Sequence, residues 1–286
     1  SAQTLIIVRS ALEIENRPSV PTRIRLENTA LKVADVKEME VIPCSKVPIP
    51  LLYCWANLMI RPFGVSGSSQ WKFSSRQVHW CHILDPVDNS LDLHQSEHSV
   101  NPRIEPYRFS VSVRRLGYPP EPLAIGPSHK AWVQPAHLIT ALAPVTLVNL
   151  LPCQLYYSVQ GGTLKGETSP GTEIPLHIDT TQLYVLDFYL ENFPGVGSVI
   201  MHPGTSAFEA RIQLTDSRQR PLFINVKVTV KFGGVFHISV YAPYWIVNRT
   251  GLPMLIKQEG EKLEAAGQFE EHELARMMSP LLCSFA

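Results

Sequence analysis

Apolar and polar residues alternate along much of this chain. The segments Phe109-Ser110-Val111-Ser112-Val113, Phe223-Ile224-Asn225-Val226-Lys227-Val228-Thr229-Val230 and Val235-Phe236-His237-Ile238-Ser239-Val240-Tyr241 all run with period two. Successive side chains of a strand point to opposite faces, so the pattern predicts half-buried antiparallel strands. The β-branched and aromatic residues that fill it favour the same state. Between these segments 24 prolines and 16 glycines punctuate the chain. Many short strands separated by turns indicate a sandwich or barrel of the all-β class. A helix is expected at one place only, residues 261–278, rich in Glu, Leu and Ala. Gly267 interrupts it, so a helical turn or two competes there with an ordered loop.

The pattern also repeats at long range. Ile139-Thr140-Ala141-Leu142-Ala143-Pro144-Val145-Thr146-Leu147-Val148-Asn149 aligns without a gap on Ile238-Ser239-Val240-Tyr241-Ala242-Pro243-Tyr244-Trp245-Ile246-Val247-Asn248. That density of matches marks an internal repeat. Leu12-Glu13-Ile14-Glu15-Asn16 carries the same ending. Each asparagine is followed by a proline (Pro21, Pro152, Pro253), then an aliphatic residue three positions on (Ile24, Leu155, Ile256). A second proline precedes another aliphatic residue: Pro48-Ile49, Pro175-Leu176 and Pro280-Leu281. The expected organisation is two tandem antiparallel β-sandwich repeats, 1–136 and 137–236, plus the start of a third at 237–286 that packs on the second. A polar insertion around residues 85–101 accounts for the longer first unit.

Asn16, Asn149 and Asn248 each end an apolar strand and open a turn. A short amide there bonds nearby backbone and tolerates left-handed φ. If buried, it pins the hairpin, and its loss leaves backbone groups unpaired at about 1–3 kcal/mol. The plainer reading is a turn former that touches no partner.

Composition narrows the function. At 286 residues and 45% hydrophobic content, the chain can bury a sizeable core in one or two domains. Lys+Arg and Asp+Glu are both 25, and only 17% of residues are charged. A neutral chain exerts no pull on nucleic acid or on anionic lipid; its densest basic spot, Arg114-Arg115, reads as a solvated strand edge. No stretch reaches the roughly 18 apolar residues of a spanning helix. The opening Ser1-Ala2-Gln3-Thr4-Leu5-Ile6-Ile7-Val8 looks like a strand entered partway, as in a piece of a longer protein, and not like a signal peptide. Five scattered cysteines without a CxxC pair suggest reduced cytoplasmic thiols. The sequon Asn248-Arg249-Thr250 is no more than chance supplies.

Reactive constellations are few. His79-Trp80-Cys81-His82, with His94 and His98, has metal-ligand residue types. On a strand, however, 79 and 81 share a face while 82 points away, unlike converging zinc ligands. A strand carrying Trp80 into the core is the simpler reading. Asp187 and Glu191 lie four apart and could form a carboxylate dyad, or be solvated edge charges. Trp71, Phe73 and Trp80 could stack bases or sugars, but without basic neighbours they read as core. No nucleophile elbow, metalloprotease motif or Walker loop occurs. The chain is therefore expected to be no enzyme and to hold no cofactor or metal.

Ser239-Val240-Tyr241-Ala242-Pro243-Tyr244-Trp245-Ile246-Val247-Asn248-Arg249-Thr250-Gly251-Leu252-Pro253 resembles a hallmark stretch of the chorein family, the bridge-like lipid-transfer proteins of vacuolar protein sorting. Ala265-Ala266-Gly267-Gln268-Phe269-Glu270-Glu271-His272-Glu273 and Ser279-Pro280-Leu281-Leu282-Cys283-Ser284-Phe285 look like its continuation. The likeness is specific over 238–286 and good over 139–200; over 1–138 it rests on the repeat. The resemblance implies the adaptor-binding (VAB) region, built in the family of six β-sandwich repeats, each with a signature asparagine. Asn16, Asn149 and Asn248 fall on that position. It further implies a module that docks organelle adaptor proteins, some of them through a Pro-x-Pro peptide. Such docking recruits a lipid-transfer protein to membrane contact sites from the cytoplasm, with the lipid channel elsewhere in the protein. Proline follows Asn16 and Asn248 at five residues but Asn149 at three, which puts the geometry of the middle turn in question. Unclosed sandwiches leave edge strands, so a proline-containing extended peptide is expected to add beside a signature asparagine. A carbohydrate-binding β-sandwich is the alternative; it requires aromatics exposed in one groove.

Overall fold

In the computed structural model, which describes residues 10–29, 35–63, 71–80, 83, 89–116, 136–231, 234–260, 264–268 and 280–284, the alternating segments are strands. The chain divides into two units, Ser1–Pro144 and Val145–Ala286. The first contains β1 (Leu12–Asn16), β2 (Thr22–Asn28), β3 (Asp35–Val41), β4 (Ser45–Pro48), β5 (Asn57–Pro62), β6 (Asn89–Ser96), β7 (Tyr107–Arg115) and β8 (His137–Leu142). Its sheets have the strand orders β4-β1-β8-β7-β6 and β3-β2-β5. In β1 the alternation is literal: Leu12, Ile14 and Asn16 are buried while Glu13 and Glu15 face outward. Leu12 and Ile14 meet Ile24, Leu26, Leu58 and Ile60 of the facing sheet in one core. Each such side chain contributes about 1.5–3 kcal/mol through its burial.

The second unit repeats the plan with β9 (Val145–Asn149), β10 (Leu155–Val159), β11 (Lys165–Thr168), β12 (Glu173–Leu176), β13 (Tyr184–Leu190), β14 (Phe193–Met201), β15 (Phe208–Thr215), β16 (Pro221–Val230) and β17 (Phe236–Tyr241). The sheet orders are β12-β9-β17-β16-β15 and β11-β10-β13-β14. These are tandem β-sandwich repeats of the all-β class. Beyond them β18 (Tyr244–Ile246) pairs antiparallel with β19 (Leu281–Cys283). The same pairing joins β1 to β4 and β9 to β12. Residues 264–268 and 280–284 lie against the second sandwich: Ala266 and Leu282 join its core. Buried Arg220 bonds Asp216 at 2.7 Å, Gln268 O at 2.8 Å and Glu264 at 3.2 Å, and the Gly267 amide reaches Asp216 at 3.1 Å.

Several expectations need correction. Each sandwich has one parallel pair, β1 with β8 and β9 with β17, where only antiparallel neighbours were expected. β7 is buried on both faces, because Ser110 and Ser112 are covered as fully as Val111. Within residues 85–101 lies not an insertion but the regular strand β6, paired along its length with β7; residues 85–88 are outside the described set. Residues 77–80 are not a strand, although Trp80 does pack on the core. Of the stretch 261–278 only 264–268 are described, and they form a bridge and a turn with Gly267 at φ +77°. The repeated prolines also shift. Pro48 stands opposite Glu13 and Pro175 opposite Thr146, each three residues before the asparagine, but Leu282, not Pro280, stands opposite Trp245.

Candidate functional site

The three asparagines make one recurring bond. The Asn16 amide donates to Val20 O at 3.0 Å, Asn149 to Cys153 O at 2.8 Å, and Asn248 to Leu252 O at 2.6 Å. Each acceptor lies four residues on, so the different proline spacing leaves this turn bond unchanged. None of the three has left-handed φ; among the described non-glycine residues only Cys44 and Gln219 do.

In the two complete units the asparagine ties four segments together. Asn16 also donates to Val41 O at the end of β3 (2.8 Å), and Asn149 to Thr168 O at the end of β11 (2.8 Å). Their own carbonyls accept from Cys44 N and Gly171 N in the turns that lead to β4 and β12. Cys44 (φ 57°) and Gly171 (φ 70°) both hold the left-handed backbone this turn requires. The next residue's amide bonds the closing strand, Arg17 to Ala141 O and Leu150 to Val240 O. Both side chains are fully buried. They differ in one bond: Asn149 Oδ1 accepts from Leu151 N at 2.9 Å, whereas Asn16 Oδ1 is buried without a partner among the described residues. The residue two beyond Asn16 is Pro18, which has no N–H to give. Asn248 is half-buried, and its Oδ1 accepts from the Thr250 amide and hydroxyl.

Next to Asn149 the sheet edge is open. Among the described residues β11 pairs only with β10, so its outward N–H and C=O groups have no strand partner. A shallow depression of about 630 Å³ wraps this edge, lined by Tyr156, Tyr157, Ser158, Lys165, Gly166, Glu167 and Tyr189. Gly166 stands opposite Tyr157 in register. A Cβ at 166 would lie 2.7 Å from the Tyr157 hydroxyl, so the glycine lets that ring reach the edge. Burial raises the Tyr157 pKa and keeps the hydroxyl a donor. Tyr189 faces Tyr156 across β10 and β13, with its hydroxyl 3.2 Å from Ser158 Oγ. Sequence reading missed this site because the Tyr157–Gly166 pairing is visible only once the register is known.

The reactive candidates disperse. His79 is exposed, and Cys81 and His82 lie outside the described residues. His94 stacks on Phe109, and His98 Nδ1 caps a turn by accepting from Asn101 N at 2.9 Å. Among the described residues no group of three or more His, Cys, Asp or Glu is placed to hold a metal ion. Asp187 is buried and accepts from Gln160 and Ser198, whereas Glu191 is exposed in the turn after β13, so the two do not converge. Burial raises the thiol pKa of Cys54 and Cys283, and that of Cys153 to about 11.

Strand order, the recurring parallel closure and the buried asparagine corner define a β-sandwich repeat protein. Its sequence relatives agree. Residues 1–286 match the family described as vacuolar-sorting associated protein 13, adaptor binding domain, and the chain belongs to that family. It is 34% identical over 290 residues to human intermembrane lipid transfer protein VPS13D, covering 100% of this chain and 6% of that protein. It is 29% identical over 295 residues to Vps13D of Drosophila melanogaster (100% and 7%) and 24% identical over 290 residues to VPS13 of Chaetomium thermophilum (92% and 8%). The chain thus spans less than a tenth of the length of these curated relatives. Among the described residues no helix is long and apolar enough to cross a membrane.

Proposed function

We propose that this chain is an adaptor-docking module of a longer lipid-transfer protein, and that it recruits that protein peripherally to organelle membranes and contact sites from the cytoplasm. The lipid channel belongs to other parts of the protein, and the module binds rather than catalyses. Its partner is an organelle adaptor that offers an extended proline-containing peptide, such as Pro-x-Pro. The observation that carries this reading is the free edge of β11 beside Asn149. A peptide adds there as one more strand, and the tyrosine-lined depression receives prolines at positions whose missing N–H faces away from the sheet. Asn16 and Asn149 are buried, so their part in docking is to fix the edge, not to touch the peptide. β18 and β19 are read as the opening of a third unit; the units before it close with β8 and β17, a few residues past the expected bounds 1–136 and 137–236, so the third opens after Tyr241 and not at 237. The outer edge of β18 is the place that β8 and β17 fill in the complete units.

The test is titration of a Pro-x-Pro peptide against wild type and Tyr156→Ala at low and high salt. Micromolar affinity that depends weakly on salt and falls about ten-fold in the variant is expected, because a short peptide on a neutral edge buries little area. Unchanged affinity in Tyr156→Ala, or binding abolished by moderate salt, overturns the β11 assignment. A glycan arm in the same titration tests the carbohydrate alternative, which the half-buried Tyr156 and Tyr189 and the buried Tyr157 support less well than flat exposed rings would.

A further inference from the structure

The first unit carries an apolar tip that its core does not use. Between β4 and β5 the chain passes through a single 3-10 turn, Leu51–Tyr53, and on to Trp55. Tyr53 and Cys54 point inward, but Leu51, Leu52 and Trp55 are 71%, 59% and 74% exposed. No residue of the run Ile49-Pro50-Leu51-Leu52-Tyr53-Cys54-Trp55-Ala56 is charged. The repeat itself does not demand this. The corresponding turn of the second unit, between β12 and β13, is polar, with Asp179 accepting from the Thr181 amide and hydroxyl.

The carbonyls of the tip are already satisfied from within. Ile49 O accepts from Ser10 Oγ, Pro50 O from Tyr53 N, Leu51 O from Cys54 N, Leu52 O from Asn28 Nδ2, Tyr53 O from Ala56 N, and Cys54 O from Trp80 Nε1. Every carbonyl from Ile49 to Cys54 therefore has a donor in the unit. A carbonyl that is already bonded loses nothing when water is displaced, so settling the tip into a headgroup boundary leaves no acceptor of this run unpaired. Trp80 backs Trp55 with ring centroids 4.9 Å apart, which holds the tip in shape. At its base lie, among the described residues, Asp35 and Lys37, one charge of each sign. Asp35 accepts the Tyr53 hydroxyl at 2.5 Å, and the Lys37 ammonium lies 5.8 Å from the Tyr53 ring. This pair gives no net attraction to an anionic surface.

We propose that Leu51, Leu52 and Trp55 form a membrane-contacting tip that enters the interfacial region of a zwitterionic phosphatidylcholine bilayer. Tryptophan and leucine suit that boundary. The contact uses a different unit and a different chemistry from peptide docking. Three side chains give weak, reversible attachment, which raises the effective concentration of a module already held by its adaptor.

The test is flotation of the 286-residue chain with phosphatidylcholine vesicles, and with vesicles also containing phosphatidylserine, at low and high salt. Wild type floats equally with both at either salt concentration. The variant L51S/L52S/W55S, substituted only at exposed positions, partitions about ten-fold less or worse. Tyr156→Ala, which weakens peptide docking, keeps full lipid binding, so the two readings fail separately. Brominated acyl chains quench wild-type tryptophan fluorescence and lose that effect in Trp55→Leu; this measurement decides the matter if the triple variant unfolds. No flotation of wild type, equal flotation of a folded triple variant, quenching that persists in Trp55→Leu, or binding confined to phosphatidylserine and removed by salt overturns the proposal. An apolar groove on a protein partner would give the first of these results.

Discussion

Replacing Asn149 should destabilise the second unit more than any other single change at the three repeat corners. Asn149→Ala strips partners from Cys153 O and Thr168 O, each 2.8 Å from the amide, and from Leu151 N, 2.9 Å from Oδ1. A buried backbone group left unpaired costs about 1–3 kcal/mol. Cys153 is only half-buried, so water regains one of the three. The expected loss is therefore about 3–5 kcal/mol. Asn149→Asp should be worse than alanine, because a carboxylate offers neither donor and brings a buried charge against two carbonyls. Asn16→Ala removes two bonds instead of three, about 2–4 kcal/mol, since Pro18 never supplied the third. Asn248→Ala, at a half-buried turn, should cost about 1 kcal/mol or less. Urea unfolding with hydrogen exchange resolves the units: β11 and β12 lose protection in Asn149→Ala, and β3 and β4 in Asn16→Ala. A cost below about 1 kcal/mol at Asn149, or an equal cost at Asn248, refutes the corner as described.

Two further predictions concern the first unit. Cys44 adopts left-handed backbone where the second unit has Gly171; relieving the side-chain clash should make Cys44→Gly more stable by about 0.5–1 kcal/mol, read as a higher urea midpoint at unchanged slope, and a lower midpoint would show that the turn is not strained. His94 is held neutral by burial, reinforced by Arg76, with its pKa lowered from 6.5 to about 4. Its folded form binds the proton less readily than the unfolded chain does. Stability is therefore full above pH 6.5 and falls by about 3 kcal/mol as pH drops towards 4. His94→Phe should flatten that slope in pH-dependent unfolding, and an unchanged slope would assign it to another group.

What could be read from the sequence followed from local rules. Period-two alternation identifies strands such as β16 and β17, because it depends only on which side chains a pleated chain turns inward. The strand-ending asparagines were legible for the same reason: the turn bond to the carbonyl four residues on is local and survives different proline spacing. The parallel partner of β1 was not legible, since alternation says nothing about the direction of a neighbour more than a hundred residues away. Pro280 misled because counting along the chain ignores register, which places Leu282 in the slot of Pro48 and Pro175. The β11 depression needed register too. The tip at Leu51, Leu52 and Trp55 reads as core in any composition count, and only its exposure and its polar counterpart around Asp179 distinguish it.

The two units share a corner and differ at their edges, and that division bears on specificity. The corner directs the amide donors of each buried asparagine to its own backbone, so they are not offered to a partner. What it fixes is the end of the third strand of each unit. In the first unit that strand, β3, is seven residues long and carries Asp35, Lys37, Glu38 and Glu40. Arg23 pairs with Glu40, and Arg25 lies 3.5 Å from Glu38, while Phe63 and Phe73 sit beneath the two guanidinium groups at 3.7 and 5.0 Å. Charge along an edge is how sheets repel an added strand. In the second unit the same position holds the four residues of β11, which carry one charge of each sign, Lys165 and Glu167, and a glycine at the point where Tyr157 reaches the rim. With docking at β11 as proposed, one pin thus serves a long edge with four charges in one repeat and a short edge opened by Gly166 in the next. A tandem array can in this way keep a common framework while assigning docking to a single unit, and exchanging the β3 and β11 sequences between the units should move peptide binding with β11.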